Sequence, residues 1–100
     1  MKNINIIKIR KKLDKIDIKL LKVIRDRSRL VDQILKLKKS KSEIVDVKRI
    51  NFILKRVKKN SLKAKVDPKI TLAIWKEMIN GFIKYERRKF KKNNLLAVWW

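Results

Sequence analysis

Nine apolar residues, Ile6, Ile9, Leu13, Ile16, Leu20, Val23, Leu30, Ile34 and Leu37, recur at the three- and four-residue steps of one helix face, with a single gap after Val23. The missing beat falls on Arg27. A guanidinium in an apolar seam is costly unless an anion meets it. Lys38 lies 11 residues later, which is three helical turns plus about 20° and about 16 Å of rise. Both cations therefore share a face, and their long side chains can close on one small anion between them. Arg10 precedes Arg27 by 17 residues, roughly 25 Å along a helix. It cannot reach that anion within one chain, but a second copy lying antiparallel can supply it. Arg49 is a fourth candidate cation. Glu86, one of only three glutamates, comes four residues after Phe82 and adjoins Tyr85. On so apolar a face a carboxyl is expected to hold its proton more tightly than in water, and a neutral acid can donate a hydrogen bond.

Each residue also has a plainer reading. An arginine in a seam can fix helix register or snorkel to solvent. Lys38 and Arg10 can be solvated surface, and Glu86 can pair on the surface with Arg87 or Lys89. The joint pattern, four spaced cations and one misplaced carboxyl, favours a site for a small dianion.

Composition narrows the chemistry. The 100 residues contain no Cys and no His, and one Gly and one Pro. Thiolate chemistry, disulfides, the commonest metal ligand and a glycine-rich phosphate loop are thereby excluded, and no metal or cofactor is expected. Hydrophobic residues make up 45% of the chain, enough for a core. The net charge of +22 invites a nucleic-acid reading. Yet Lys outnumbers Arg 23 to 8, and Lys, Ile and Asn together supply 45 of the 100 residues. All three have A/T-rich codons, so drift filling solvated faces with lysine explains the charge more simply. No segment approaches the roughly 20 apolar residues of a membrane span, and the apolar run in "MKNINIIKIRKK" is too short for a signal peptide. A cytoplasmic protein is expected.

The elements that must position these residues are helices. Periodicity predicts helix 1 from about residue 4 to 39, broken by "KSKSE" (39–43), where Ser40 or Ser42 can cap the next element. Asp46 is an N-cap type for helix 2, whose apolar marks are Ile50, Ile53, Leu54 and Val57, ending near "NSLKAK" (60–65). In "VDPK" (66–69), Asp67 caps helix 3 and Pro68 takes its first position. Helix 3 is expected to run to about Lys89, with Ile70, Ile74, Trp75, Met78, Ile79, Phe82 and Tyr85 inward. A helix of about 35 residues is roughly 50 Å long, whereas a compact domain of this length has a radius of gyration near 13 Å. The two shorter helices cannot cover it. The fold expected is all-α: three helices, the first long, forming an intertwined homodimer.

These residues resemble a known family. "IRKKLDKIDIKLLKVIRDRSRLVDQILKLK" (9–38) resembles the first helix of the AroQ-type chorismate mutases in its Arg10, "LDKID" (13–17), Leu20–Leu21 pair, Arg27 and Lys38. The likeness continues through "VDVKR" (45–49), "VDP" (66–68) and "IWKEMINGFIKYE" (74–86), and covers about residues 6–90. It implies a domain-swapped, three-helix homodimer over residues 1–92. It also implies the Claisen rearrangement of chorismate to prephenate, on the route to Phe and Tyr, with no cofactor. Arg27 and the partner's Arg10 would grip the substrate carboxylates, and Lys38 would donate to the ether oxygen. Glu86 stands where many members have Gln and some Glu; as a protonated acid it would be the second donor. Arg49 would orient the site through ion pairs, and Asp46 would lie near the ring hydroxyl.

Two positions depart from the pattern. Many bacterial members have Glu directly after the helix-2 Arg, where this chain has Ile50, and many have Ser where it has Phe82. Both changes resemble the isochorismate-pyruvate lyases, which share the fold. Asp46 is retained and the mutase serves a general housekeeping role, so the mutase is the favoured reading and the lyase its alternative. A basic coiled-coil dimer binding nucleic acid is the rival from another class. Against it, Trp75, Phe82 and Tyr85 keep core spacing and offer no stacking platform. "NNLLAVWW" (93–100) is an apolar tail, read as a helix extension or a segment packed on the dimer surface, with no function assigned.

Overall fold

The computed structural model describes residues 2–98, with side chains for 3–91. Three helices carry the chain: α1 over Lys2–Leu37, α2 over Val47–Lys63 and α3 over Pro68–Val98, with a single 3-10 turn, Lys41–Glu43, between α1 and α2. Among the described residues there is no strand, and no helix is long and apolar enough to cross a membrane. The all-α expectation is met. Helix 3 runs about nine residues past the expected end at Lys89. Its backbone takes in most of the 93–100 tail, of which Trp99 and Trp100 lie outside the described residues.

The chain divides into two units, residues 1–33 and 34–100. The first is the greater part of α1. Its apolar seam has little cover: Ile9, Leu13, Ile16, Leu20 and Val23 are between 52% and 62% exposed. Arg27 and Ser28 are half-buried. Ser28 Oγ donates to the Ile24 carbonyl at 3.0 Å, one turn back, which lets a serine sit inside a helix without a competing turn.

The second unit holds the last turn of α1, the 3-10 turn, α2 and α3. α2 packs on α3. Asp46 caps α2 as expected, its Oδ1 accepting from the Arg49 amide at 3.0 Å. Asp67 does the same for α3, its Oδ1 accepting from the Lys69 amide at 2.9 Å. Ser40 flanks the 3-10 turn but makes no side-chain cap; its hydroxyl meets that of Ser42 at 2.8 Å.

Between α2 and α3 the chain turns through a Schellman motif. The Val66 amide donates to the Ser61 carbonyl at 2.9 Å and the Lys65 amide to the Leu62 carbonyl at 3.3 Å. Lys65 takes the left-handed position of that motif, with φ of 57°, where a Cβ is a liability. The buried Ser61 hydroxyl ties the two helices. It donates to the Val57 carbonyl at 2.6 Å and meets the Thr71 hydroxyl at 2.6 Å. The Thr71 hydroxyl also lies 3.4 Å from the Pro68 carbonyl.

The core of this unit is small. Leu35, Ile44 and Phe90 form a buried cluster, with Ile83 packed against it. Within the single chain this core uses a residue outside the seam read from sequence. Leu35 enters the core, whereas Ile34 and Leu37 are 53% and 78% exposed. On α3, Ile79 is buried and Trp75, Met78, Phe82 and Tyr85 are half-buried, but Ile70 and Ile74 are exposed. Periodicity marks an apolar face and leaves open which part of it the chain itself can cover. On α2, Ile50, Ile53, Leu54 and Val57 are half-buried as the spacing required.

Candidate active site

The second unit brings together two residues that sequence reasoning singled out separately. Lys38 Nζ donates to Glu86 Oε2 at 3.1 Å, and the two side chains are only 16% and 11% exposed. Lys38 sits just past the last turn of α1, whose end is tightened by the Lys38 amide donating to the Leu35 carbonyl at 3.2 Å. Glu86 projects from the middle of α3. The chain between Lys38 and α2 folds back over the pair. The Glu43 amide donates to the Ser40 carbonyl at 3.2 Å and the Ile44 amide to the Lys41 carbonyl at 3.1 Å. Glu43 Oε2 accepts from the Lys39 amide at 3.0 Å. This turn presents the Ile44 carbonyl to Lys38 Nζ at 3.5 Å. Two of the three ammonium donors are thereby engaged. The competing reading of Glu86, a surface pair with Arg87 or Lys89, is set aside: its partner is Lys38, and Lys89 lies over the Tyr85 ring at 5.6 Å.

Lys38 also lines an open cleft of about 510 Å³, together with Ser42, Glu43, Val45, Asp46, Val47 and Lys48. Asp46 serves that wall as well as the α2 cap, since the cap occupies only Oδ1. The cleft therefore combines two ammonium groups, two carboxylates and a hydroxyl, groups suited to a polar ligand carrying both anionic and hydroxyl functions. No cluster suited to a metal ion occurs among the described residues.

The other candidate residues are more dispersed. Arg49 lies in the first turn of α2, and among the described residues its guanidinium stands over the Phe52 ring at 5.4 Å rather than on a carboxylate. Ile50 and Phe82 are half-buried on α2 and α3. Arg10 and Arg27 belong to the first unit, Arg10 exposed beside Asn3, Ile6 and Ile7, and Arg27 half-buried. The reading from sequence missed the direct Lys38–Glu86 contact, the Ile44 carbonyl, and the cleft side chains of Ser42, Glu43 and Lys48. Ser42 and Glu43 lie in a short turn, which carries no periodic signal, and Lys48 is one of many lysines on solvated faces. Leu35 and Phe90 did leave a signal: they are apolar residues three and four positions from Lys38 and Glu86, on the same helix faces.

Fold and candidate site together define an all-helical protein with a charged, hydrogen-bonded cleft. A family model, chorismate mutase type II, matches residues 9–87. That stretch is most of the chain, and the chain belongs to this family of enzymes acting on chorismate. Comparison with curated proteins and with solved structures gave no match.

Proposed function

We propose that the protein is a chorismate mutase, converting chorismate to prephenate in the cytoplasm as an intertwined homodimer. The observation that carries this reading is the Lys38–Glu86 pair, nearly buried at 3.1 Å. In the rearrangement the ether C–O bond breaks while a C–C bond forms between the enolpyruvyl and ring fragments. No nucleophile or net proton transfer is needed. What accelerates it is a fixed conformation and donors aimed at the oxygen where charge develops. Two side chains already in contact, one from the end of α1 and one from α3, have the reach to take a single oxygen atom between them. Lys38 gives that oxygen an N–H. Glu86, as the neutral acid, gives the second bond.

Arg27 and the partner's Arg10 hold the substrate carboxylates in bidentate pairs. The exposed α1 seam supports the dimer: five apolar residues left more than half exposed need a cover. Asp46, on the cleft wall beside Lys38, takes the ring hydroxyl. Arg49 orients the site. Ile50 and Phe82 shape it where other members carry polar groups, and this keeps isochorismate-pyruvate lyase as the alternative.

The deciding experiment tracks chorismate loss and prephenate appearance with purified protein, and pyruvate release from isochorismate in parallel. Prephenate formation is the expected result. Pyruvate from isochorismate alone transfers the assignment to the lyase, and inactivity on both substrates removes the enzymatic reading.

A further inference from the structure

Phe90 lies three residues past the stretch matched by the family model, yet it is 8% exposed and packs with Leu35 and Ile44. Each of these three residues is tied to a different part of the Lys38–Glu86 contact. Leu35 stands three residues before Lys38, and its carbonyl accepts from the Lys38 amide at 3.2 Å. Ile44 offers its carbonyl to Lys38 Nζ at 3.5 Å. Phe90 stands one helical turn after Glu86, on the same face of α3. An apolar plug thus joins the three backbone segments that carry the ammonium, its carbonyl acceptor and its carboxylate. Two flexible side chains, with four and three rotatable bonds, would not hold one 3.1 Å geometry without such a support.

We propose that Phe90 is a positioning residue for the Lys38–Glu86 pair, so that the functional site extends beyond the family-matched stretch into the last part of α3. The inference concerns the pair itself; its consequence for turnover rests on the mutase reading above.

Competitive trace acylation of the whole protein, read by mass spectrometry, tests the pair without any substrate. In the wild type, Lys38 reacts at least tenfold more slowly than the exposed lysines, because its ammonium is nearly buried and hydrogen-bonded. Phe90→Ala raises the Lys38 rate toward theirs, while Phe90→Leu, which keeps most of the plug, leaves it within about threefold of wild type. Ile79→Ala removes another buried α3 residue that is outside the plug, and it leaves Lys38 slow. Should Phe90→Ala not fold, Ile44→Val thins the plug by one methyl group and still speeds Lys38 severalfold. Turnover supplies the second readout. Phe90→Ala lowers kcat on the order of tenfold to a hundredfold, the effect of a misplaced donor, with KM moving less than threefold, and Phe90→Leu rescues it. Equal effects of Phe90→Ala and Ile79→Ala on labelling, or an unchanged Lys38 rate in Phe90→Ala or in Ile44→Val, overturn the proposal. A wild type with slow Lys38 but no turnover of either substrate instead overturns the mutase reading and leaves the positioning role standing.

Discussion

The Lys38–Glu86 contact makes opposite demands on Glu86. In the free chain its carboxylate accepts from the ammonium; beside a substrate ether oxygen it has to donate. Turnover therefore needs a hydrogen-bond donor at this position. Glu86→Gln keeps an N–H donor at that place, so turnover is expected to survive it; lost turnover removes Glu86 from the oxygen. The substitution also leaves Lys38 without its counter-charge, which costs about 1–3 kcal/mol of stability, read by denaturant titration. Arg27 makes a different prediction. Arg27→Ala abolishes turnover yet leaves polyanion binding nearly unchanged, because the other 30 cationic side chains remain. A parallel loss of polyanion binding would favour the nucleic-acid reading. At this scale the sequence was informative where a charge broke an apolar pattern at Glu86, which meets Lys38. It was silent on the Ile44 carbonyl, because every residue has one and only the fold aims it.

Among the elements, α2 and α3 were legible almost to the residue at their starts, because Asp46, Asp67 and Pro68 are local signals whose hydrogen bonds lie within the same turn. The C-terminus of α2 was less so. Lys65 occupies a left-handed position that composition does not announce, since a glycine there would have marked the Schellman turn and a lysine hides it. Lys65→Gly is expected to stabilise the chain by about 1 kcal/mol, by relieving the Cβ contact. That gain corresponds to a melting temperature higher by about 4–8 °C; thermal melts monitored by circular dichroism check it, and a lower value argues against the turn geometry. The underestimated length of α3 has a related cause. Past Tyr85 the amphipathic pattern fades into "ERRKFKKNN", while the helix goes on, because nothing in that run forbids it and Phe90 anchors it.

For the whole molecule, the proposed dimer carries the prediction that the arginines of one site come from two chains. Arg10→Ala and Arg27→Ala homodimers are each expected to be inactive. Mixing them and allowing exchange restores activity, because one of the two sites in each heterodimer keeps both arginines. Confirmed subunit exchange with no recovery would place Arg10 and Arg27 in separate roles. Sedimentation of the wild type is expected to give twice the 12.1 kDa chain mass; a monomer would leave the exposed seam of α1 without its proposed cover.

By itself the sequence determined the helical class and the capped starts of α2 and α3, and it proposed a short roster of charged residues to meet a dianion. These rest on local rules: a period of 3.6 residues, the hydrogen bonds of a cap, and the high cost of a charge on an apolar face. Only the tertiary structure decided that Lys38 and Glu86 touch, that Leu35 rather than Ile34 or Leu37 enters the core, and that Phe90 belongs to the support beneath the pair. The reason is distance along the chain. Residues 38 and 86 are separated by 48 positions, and no local rule relates them. Their contact exists because the turn at 41–43 and the packing of Ile44 on Phe90 fold three segments onto one small core.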